Sequence, residues 1–310
     1  MFSFSFPVLF SIGPMAISTL GVLSVLAFLA GTFWLWKKGK EEGFDEEKLL
    51  DVAFLGAVVG LITGRIGYIL EAWPKFGLNP GRWVDFQHLG GLSFFGAAAG
   101  AFLIIWWLGK QYKWSFWVFS DLAVFGLIIS QILVRLGQFL DGSFYGRSTT
   151  LFPGLPFPGV DGWHYPVQLF EAVFLLILFF WLKRLEKQYR LFIWYQDKRG
   201  ETQPGFLILV YVLLYSFFKF WLAFLQESSL YWLGLSLTQW VALVFLIVAV
   251  GVFLSKMGRL ESLFRGLLLW QKLKLPKNQE TPILPKPPEP RKRSALFNKR
   301  HIKIGSDAKI

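Results

Sequence analysis

The sequence contains no cysteine in its 310 residues, and it carries little charge. The missing thiols exclude zinc–thiolate sites, cysteine-ligated iron–sulfur clusters, cysteine nucleophiles and disulfide-stapled miniproteins, because each of these needs a cysteine sulfur. Charged residues make up 17% of the chain, against about 25% in soluble domains. Hydrophobic residues make up 54%, with 34 Phe and 15 Trp. This composition excludes a disordered chain and an ordinary cytosolic enzyme.

The hydrophobic residues are grouped in runs long enough to cross a bilayer. A transmembrane helix needs about 20 apolar residues, and long continuous runs favour helices over barrel strands, in which polar and apolar residues alternate. We therefore predict an all-α polytopic membrane protein with about seven transmembrane helices. The predicted spans are residues 15–36, 51–70, 91–109, 116–137, 166–183, 205–226 and 237–255.

Basic residues are unevenly distributed among the loops between these spans. Loops 37–48, 110–113 and 183–199 are rich in Lys and Arg, whereas the alternate loops contain few or none. The positive-inside rule then predicts an N-terminus outside and a C-terminus in the cytoplasm. Because no residue before Lys37 is basic, the start of the chain is not expected to be a cleavable signal peptide.

Three segments differ in composition. Residues 1–14 are expected to form a short apolar arm at the membrane interface, and residues 15–271 a seven-helix domain with outer-face loops. Residues 272–310 are basic and Pro-rich, which is typical of a disordered cytoplasmic tail or of a segment attracted to anionic lipid headgroups. Nucleic acid is a weaker alternative, because no aromatic–basic fold accompanies the charge.

Five ionisable residues lie inside the predicted spans or at their ends. A charge at the bilayer centre costs about 2.5–3.5 kcal/mol, so these side chains are expected to face a protein interior, a watery cavity or the headgroup layer. Snorkelling from a span end is the alternative for Arg135 and Lys219. The five residues are Arg65, Asp121, Arg135, Glu171 and Lys219.

Glycine clusters surround the arginines. Gly64 precedes Arg65, and further glycines lie between Arg135 and Arg147. Tight helix packing is one interpretation. The other is an anion site, because guanidinium binds phosphate oxygens with two N–H groups and exposed backbone amides add donors. We expect Arg65 and Arg135 to share a pocket for a phospholipid headgroup.

One segment carries a family resemblance. Residues 134–147, V-R-L-G-Q-F-L-D-G-S-F-Y-G-R, resemble the signature G-R-[LI]-[GA]-N-F-[IL]-N-G-E-x-[WY]-G-R of bacterial prolipoprotein diacylglyceryl transferases. The resemblance covers about residues 10–255, and further family elements follow in the same order along the chain. These elements are Gly64–Tyr68, Gly90–Phe94, Pro166–Glu171, Tyr215–Gln226 and Leu235–Gln239.

The resemblance implies a transfer reaction at the outer face of the bacterial cytoplasmic membrane. The diacylglyceryl group of phosphatidylglycerol would pass to the lipobox cysteine of a preprolipoprotein, with glycerol phosphate leaving. The implied partners are phosphatidylglycerol, lipobox peptides and membrane lipid, without nucleic acid, metal or cofactor. Arg135 matches the family arginine that contacts the headgroup phosphate. Other recurrent positions, expected to shape or line the headgroup site, are Arg65, Gly90, Gly91, Gly142, Gly146, Arg147, Gln168, Glu171 and, with lysine in place of arginine, Lys219.

The chain also departs from the family pattern. Phe95 replaces a histidine that could accept a proton, and His164, beside the position of another family histidine, is the candidate substitute base because its neutral pKa range suits that task. His88, in the loop before Phe95, is either a second candidate or an ordinary solvated residue. The remaining departures are Leu20, Gln138, Ser143, Tyr165, Lys219, Ala223 and Gln226.

Three functions therefore stay open at this point. The first is a divergent, working diacylglyceryl transferase. The second is a non-catalytic phospholipid-binding relative that has lost the thiol chemistry. The third is a relative that acts on a different acceptor or lipid. A transporter has little support, because the spans show no paired repeat with broken helices at matching positions.

Overall fold

The computed structural model describes residues 6–13, 15–85, 89, 91–188, 203–228 and 231–257, and every structural statement below concerns these residues. The predicted tail at 272–310 lies outside them, as do Gly90, His88 and His301.

The described chain is mainly helical, as the composition predicts. Nine helices and three two-stranded antiparallel sheets follow one another along the described residues. The helices are α1 (Thr19–Glu41), α2 (Glu46–Glu71), α3 (Trp73–Phe76), α4 (Pro80–Trp83), α5 (Phe94–Gln111), α6 (Phe116–Asp141), α7 (Val167–Glu186), α8 (Phe206–Leu222) and α9 (Leu237–Lys256). The strand pairs are β1 (Val8–Ile12) with β2 (Met15–Ser18), β3 (Leu155–Pro156) with β4 (Trp163–His164), and β5 (Tyr231–Trp232) with β6 (Leu235–Ser236).

Six of the described helices are long and apolar enough to cross a membrane: α1, α2, α5, α6, α8 and α9. The sequence predicts seven spans, and α7 is the one that differs. It has 20 residues, but it carries Glu171 near its start and Lys183 and Arg184 near its end. Composition therefore places six helices in the spanning class, and α7 needs a separate argument.

Two helices begin later than the hydrophobic runs predict, because capping residues determine where they begin. The first span is expected from residue 15, but α1 begins at Thr19, where the Ser18 hydroxyl accepts a hydrogen bond from the Gly21 N–H at 3.0 Å. The third span is expected from residue 91, but α5 begins at Phe94, after the capping residue Ser93. A serine side chain that satisfies an N–H of the first turn is a strong start signal. Apolar residues before the cap belong to strand or loop.

Small residues bring the helices together in pairs. A Cβ atom on Gly126 of α6 would lie 2.5 Å from the Gly31 carbonyl oxygen of α1. A Cβ atom on Gly96 of α5 would lie 2.5 Å from the Thr63 carbonyl oxygen of α2. Both positions admit glycine alone at this spacing, which is how small residues let membrane helices approach closely. Gly96 of α5 and Gly126 of α6 thus have a packing role.

The main cluster of buried apolar side chains lies among α6, α7 and α8, with Ile128, Leu175 and Leu207 among its members. At one end of it the Asp121 carboxylate accepts hydrogen bonds from the N–H groups of Gly205 at 2.6 Å and Ile208 at 2.9 Å. Asp121 of α6 thus caps the start of α8, where a carboxylate is stabilised by unpaired N–H groups. This accounts for one of the five charges in the spans.

Candidate active site

Glu171 is the centre of a buried polar cluster that joins three helices. Its side chain is 1% exposed, and its Oε1 forms a salt bridge of 2.8 Å with the guanidinium of Arg135 on α6. Its Oε2 forms a salt bridge of 2.6 Å with the ammonium of Lys219 on α8. The Tyr215 hydroxyl, also on α8, donates to Oε1 at 2.6 Å. Each carboxylate oxygen thus has a cation, as burial of a charge requires.

Helical spacing explains why these side chains meet. Tyr215 and Lys219 lie four residues apart on α8, so both project from one face towards Glu171. Arg135 and Gln138 lie three apart on α6, and the arginine donates to the Gln138 amide oxygen at 2.6 Å. Gln138, which stands at a family asparagine position, keeps the acceptor role that an amide provides.

The cluster carries more positive than negative charge. Two cations, Arg135 and Lys219, share the single carboxylate of Glu171. The cations remain 23% and 17% exposed, whereas the carboxylate is buried. Part of each cationic side chain is therefore accessible, whereas the carboxylate between them is hidden. In a low-dielectric setting such a surface attracts a phosphate group strongly.

Arg65 lies in a different network. Its guanidinium donates to the backbone carbonyls of Trp83 at 2.8 Å, Leu89 at 2.7 Å and Asp85 at 3.0 Å. The carbonyl of Gly91 accepts a further bond at 3.2 Å. The guanidinium also packs over the Phe76 ring, 5.2 Å from its centroid. Arg65 ties the loop after α2 to the helix end.

The guanidiniums of Arg65 and Arg135 lie in separate hydrogen-bond networks, and the phosphate clamp expected of the pair stays a prediction. The contacts of Arg135 are with Glu171 and Gln138, and the contacts of Arg65 described above are with loop carbonyls. A guanidinium that donates to carbonyl oxygens has fewer N–H groups left for an anion. The described contacts of Arg65 anchor the loop after α2, whereas Arg135 and Lys219 belong to the Glu171 cluster.

Arg147 and its neighbouring glycines connect the α6–α7 and α8–α9 loops. The Arg147 side chain donates to the Gln226 carbonyl at 3.1 Å and to the Tyr231 hydroxyl at 2.7 Å. Gly146 is packed so closely that a Cβ atom would lie 2.5 Å from the Leu225 carbonyl oxygen. Gly142 ends α6 in the left-handed conformation, at φ 79°. These contacts join the segment after α6 to the segment after α8, at the C-terminal ends of the two helices.

Gln168 and His164 lie at the start of α7, on the chain segment that leads to Glu171. The Gln168 amide donates to the Ser143 carbonyl at 2.5 Å. His164 of β4 is 6% exposed, and the edge of its ring meets Tyr145, with ring centroids 5.0 Å apart. Among the described residues, His164 Nδ1 is buried without a hydrogen-bond partner. A substrate thiol would reach this nitrogen only if the surrounding loop moved.

The segment before α5 is built around Gly91 and Ser93. Gly91 has φ 151°, and its Cα packs against the Tyr68 ring. The Ser93 hydroxyl donates to the exposed Glu71 carboxylate at 2.5 Å, which fastens the start of α5 to the end of α2. Phe95, in the next turn, is 57% exposed. The position of the family histidine is thus an apolar side chain open to its surroundings.

Comparison with known proteins settles the family. The family model described as prolipoprotein diacylglyceryl transferase matches residues 7–255. This chain belongs to the prolipoprotein diacylglyceryl transferase family. The match includes every residue of the Glu171 cluster and the described loops that Arg65 and Arg147 hold.

Relatives from distant bacteria carry the family name. A protein of Dehalococcoides mccartyi named phosphatidylglycerol–prolipoprotein diacylglyceryl transferase is 28% identical, over 81% of this chain and 93% of its own length. A protein of Listeria monocytogenes with the same name is 27% identical, over 81% and 89%. A Clostridium perfringens protein, named phosphatidylglycerol–prolipoprotein diacylglyceryl transferase 2, is 29% identical, over 78% and 91%. The similarity extends along nearly the whole of each relative.

Sequence reasoning missed three partners that the structure supplies. Tyr215 was part of a family element, but its bond to Glu171 follows only when α7 faces α8. No sequence motif indicated that Tyr231 contacts Arg147 or that Glu71 contacts Ser93. The one available signal was the spacing of Tyr215 and Lys219, which places both on one helix face.

Proposed function

We propose that this chain transfers the diacylglyceryl group of phosphatidylglycerol to the lipobox cysteine of a preprolipoprotein. The single observation that carries the proposal is the Glu171 cluster, in which two partly exposed cations share one buried carboxylate within a family of this name. The non-catalytic alternative is not favoured, because the relatives reported above are named as transferases.

The charge balance of the reaction explains what these cations do. The cysteine loses its proton, and its sulfur attacks the glyceryl carbon that bears the phosphate ester. A carbon–sulfur bond forms and the carbon–oxygen bond breaks, so the electron pair leaves with glycerol phosphate. The phosphodiester begins with one negative charge and the released monoester carries two. Arg135 and Lys219 stabilise the charge that develops on the leaving phosphate.

Glu171 positions the two cations rather than touching the substrate. It is 1% exposed, and it receives both of them. Holding the donors in place before the reaction avoids reorganisation as charge develops. His164 is the proposed acceptor of the thiol proton, because its Nδ1 has no hydrogen-bond partner among the described residues and the loop around it can open for the thiol. Gly91, Gly142, Gly146, Arg147 and Gln168 shape the loops around the site, and Gly90 is placed with them from its position in the sequence.

We also propose seven membrane crossings, with the N-terminus outside and the C-terminus in the cytoplasm. The α7 helix has the length of a span, and its charges have inward partners or end positions: Glu171 meets Arg135 and Lys219, while Lys183 and Arg184 lie in the last turn. Basic residues near helix ends reach the interface readily. The protein is then a multi-pass protein of the bacterial cytoplasmic membrane, and the Glu171 cluster lies in its outer half.

The proposed domain organisation follows the same membrane placement. The β1–β2 hairpin exposes Phe6, Leu9 and Phe10, which supports an interfacial arm within residues 1–14. Residues 15–271 form the transferase domain, and residues 272–310 form the basic cytoplasmic tail. Burying exposed apolar side chains of this kind at the boundary between headgroups and acyl chains lowers the free energy.

The direct test follows a lipobox peptide by mass spectrometry. Purified full-length protein in vesicles of phosphatidylglycerol should add one diacylglyceryl group to the peptide thiol, and a Cys→Ser peptide should remain unmodified. Arg135→Ala should abolish the product, whereas Lys113→Ala, an exposed lysine in another loop, should not. A folded wild-type protein that binds phosphatidylglycerol but forms no thioether would contradict the transferase proposal. Rescue of a bacterium depleted of its own transferase is the corresponding test in cells.

A further inference from the structure

A second feature of the molecule lies away from the Glu171 cluster. An apolar groove of about 430 Å³ runs between α1, α6 and α7, and its volume lies within the range of roughly 300–1,000 Å³ that is usual for ligand sites. Side chains that line it include Trp34, Ile129, Ile132, Leu176, Phe180 and Lys183. Lys183 follows Glu171 by twelve residues on α7, which is about 18 Å along the helix. The groove therefore opens towards the other half of the membrane.

Positive charge is concentrated at one end of the groove. The Lys183 ammonium lies 5.4 Å from the centre of the Trp34 ring, and the Lys37 ammonium lies 5.7 Å from it. Two ammonium groups gathered around one ring repel each other unless an anion lies near them. Within the part of the chain that the structure describes, neither of them forms a salt bridge.

The nearby carboxylates are engaged elsewhere. Glu186 contacts the Lys38 ammonium at 3.0 Å, and Glu41 contacts the same ammonium at 3.2 Å. Lys38 thus pairs with Glu41 of α1 and Glu186 of α7. One end of the groove therefore has the two cations Lys37 and Lys183, and the rest of its lining is apolar.

We propose that this groove binds an anionic phospholipid of the leaflet at the Lys37 end. An acyl chain lies along the apolar wall formed by α6 and α7, and the phosphate lies between Lys37 and Lys183, beside Trp34. Any groove that faces a bilayer contacts acyl chains. The selectivity of this groove for one headgroup must therefore come from the two lysines. A zwitterionic headgroup brings its own ammonium group, which weakens the attraction. The proposal does not depend on the transferase reaction.

Bound lipid on the purified protein is the measurement that tests this site. The full-length protein is cleared of lipid in detergent and titrated with dioleoylphosphatidylserine or dioleoylphosphatidylcholine, and bound lipids are counted by native mass spectrometry. Phosphatidylserine is used because it is anionic and is not the proposed substrate. Wild-type protein should bind it at least several-fold more tightly than phosphatidylcholine.

Two pairs of variants locate the binding. Lys37→Ala with Lys183→Ala should weaken phosphatidylserine binding roughly tenfold or more and leave phosphatidylcholine binding unchanged. The control, Lys110→Ala with Lys113→Ala, removes the same charge from another loop and should have no effect. Leu176→Trp should fill the groove and reduce binding. Ile177→Trp, one residue along and outside the groove lining, should not.

The outcomes separate the possibilities. Equal binding of the two lipids by wild-type protein would overturn the proposal, because the groove would then hold only bulk lipid. Phosphatidylserine binding that survives both Leu176→Trp and the Lys37/Lys183 double substitution would also overturn it. Circular dichroism of each variant shows that a loss of binding is not a loss of folding.

Discussion

Glu171 of α7 and Lys219 of α8 form an ion pair of 2.6 Å, in which the carboxylate is 1% exposed and the ammonium 17%. A buried carboxylate of this kind is stable only while its partners remain. The pair therefore links the stability of the helix bundle to the charge of the proposed phosphate site. Arg135 completes the link from α6 at 2.8 Å.

We predict that Glu171→Gln both destabilises the protein and abolishes activity. The substitution leaves Arg135 and Lys219 side by side without their anion, and breaking a buried pair in this way costs about 3–5 kcal/mol. Unfolding of the purified protein in detergent measures the loss. Glu186→Gln is the matched control, because its contact with Lys38 is more exposed and should cost about 1 kcal/mol or less. Equal losses in the two variants would contradict the central role of Glu171.

We predict that Lys219→Arg retains activity and that Lys219→Met loses it. Arginine keeps the charge and can still reach Glu171, and its planar fork suits phosphate. Methionine keeps most of the volume without the charge, so loss of one stabilising donor should lower the rate roughly 10²-fold. Initial rates of peptide modification measure both. A methionine variant with the wild-type rate would show that Lys219 serves packing alone.

We predict that Arg65→Ala loosens the loop after α2 without a specific loss of lipid binding. The substitution leaves the carbonyls of Trp83, Leu89 and Asp85 without their donor, and we expect a cost of at least about 3 kcal/mol. Hydrogen exchange should rise in residues 77–85. Phosphatidylglycerol affinity of the folded fraction should stay close to that of wild type. A selective loss of affinity with an unchanged loop would restore Arg65 to the phosphate site.

We predict that His164→Ala lowers the rate of transfer while phosphatidylglycerol binding persists. If the imidazole accepts the thiol proton, its removal should slow the transfer step while the affinity for phosphatidylglycerol stays unchanged. His164 is 6% exposed, so the substitution is also expected to lower stability, and rates are compared per folded molecule. A rate that is undiminished across the pH range would remove His164 from the mechanism.

Much of the fold could be predicted from the sequence. The hydrophobic runs indicated the long helices to within a few residues, and the errors at α1 and α5 arose because Ser18 and Ser93 cap the helices later than hydrophobicity suggests. The number of crossings was harder to predict, because Glu171, Lys183 and Arg184 leave α7 no stretch as long and as poor in charge as those in the six helices of the spanning class. Hydrophobicity measures transfer from water and does not reveal that a charge has a buried partner.

The candidate site was only partly predictable. Arg135, Glu171 and Lys219 were recognised one by one, as charges too costly to leave in lipid. The sequence places Tyr215 and Lys219 on one face of α8, but it could not show which helices that face meets, because helix-to-helix packing is not encoded in the pattern of a single helix. The hydrogen bonds of Arg65 could not be predicted either, because their acceptors are backbone carbonyls, which give no side-chain signal in the sequence.

The amino-acid sequence by itself determined that this is a helical membrane protein, and it determined the family. These properties depend on the number and order of apolar, glycine and motif residues. The tertiary structure alone decided which cations share Glu171, that Arg65 holds a loop, and that Lys37 and Lys183 meet at Trp34. The physical reason is that helix formation is local, whereas these contacts depend on how three or more helices are rotated and spaced by glycine packing.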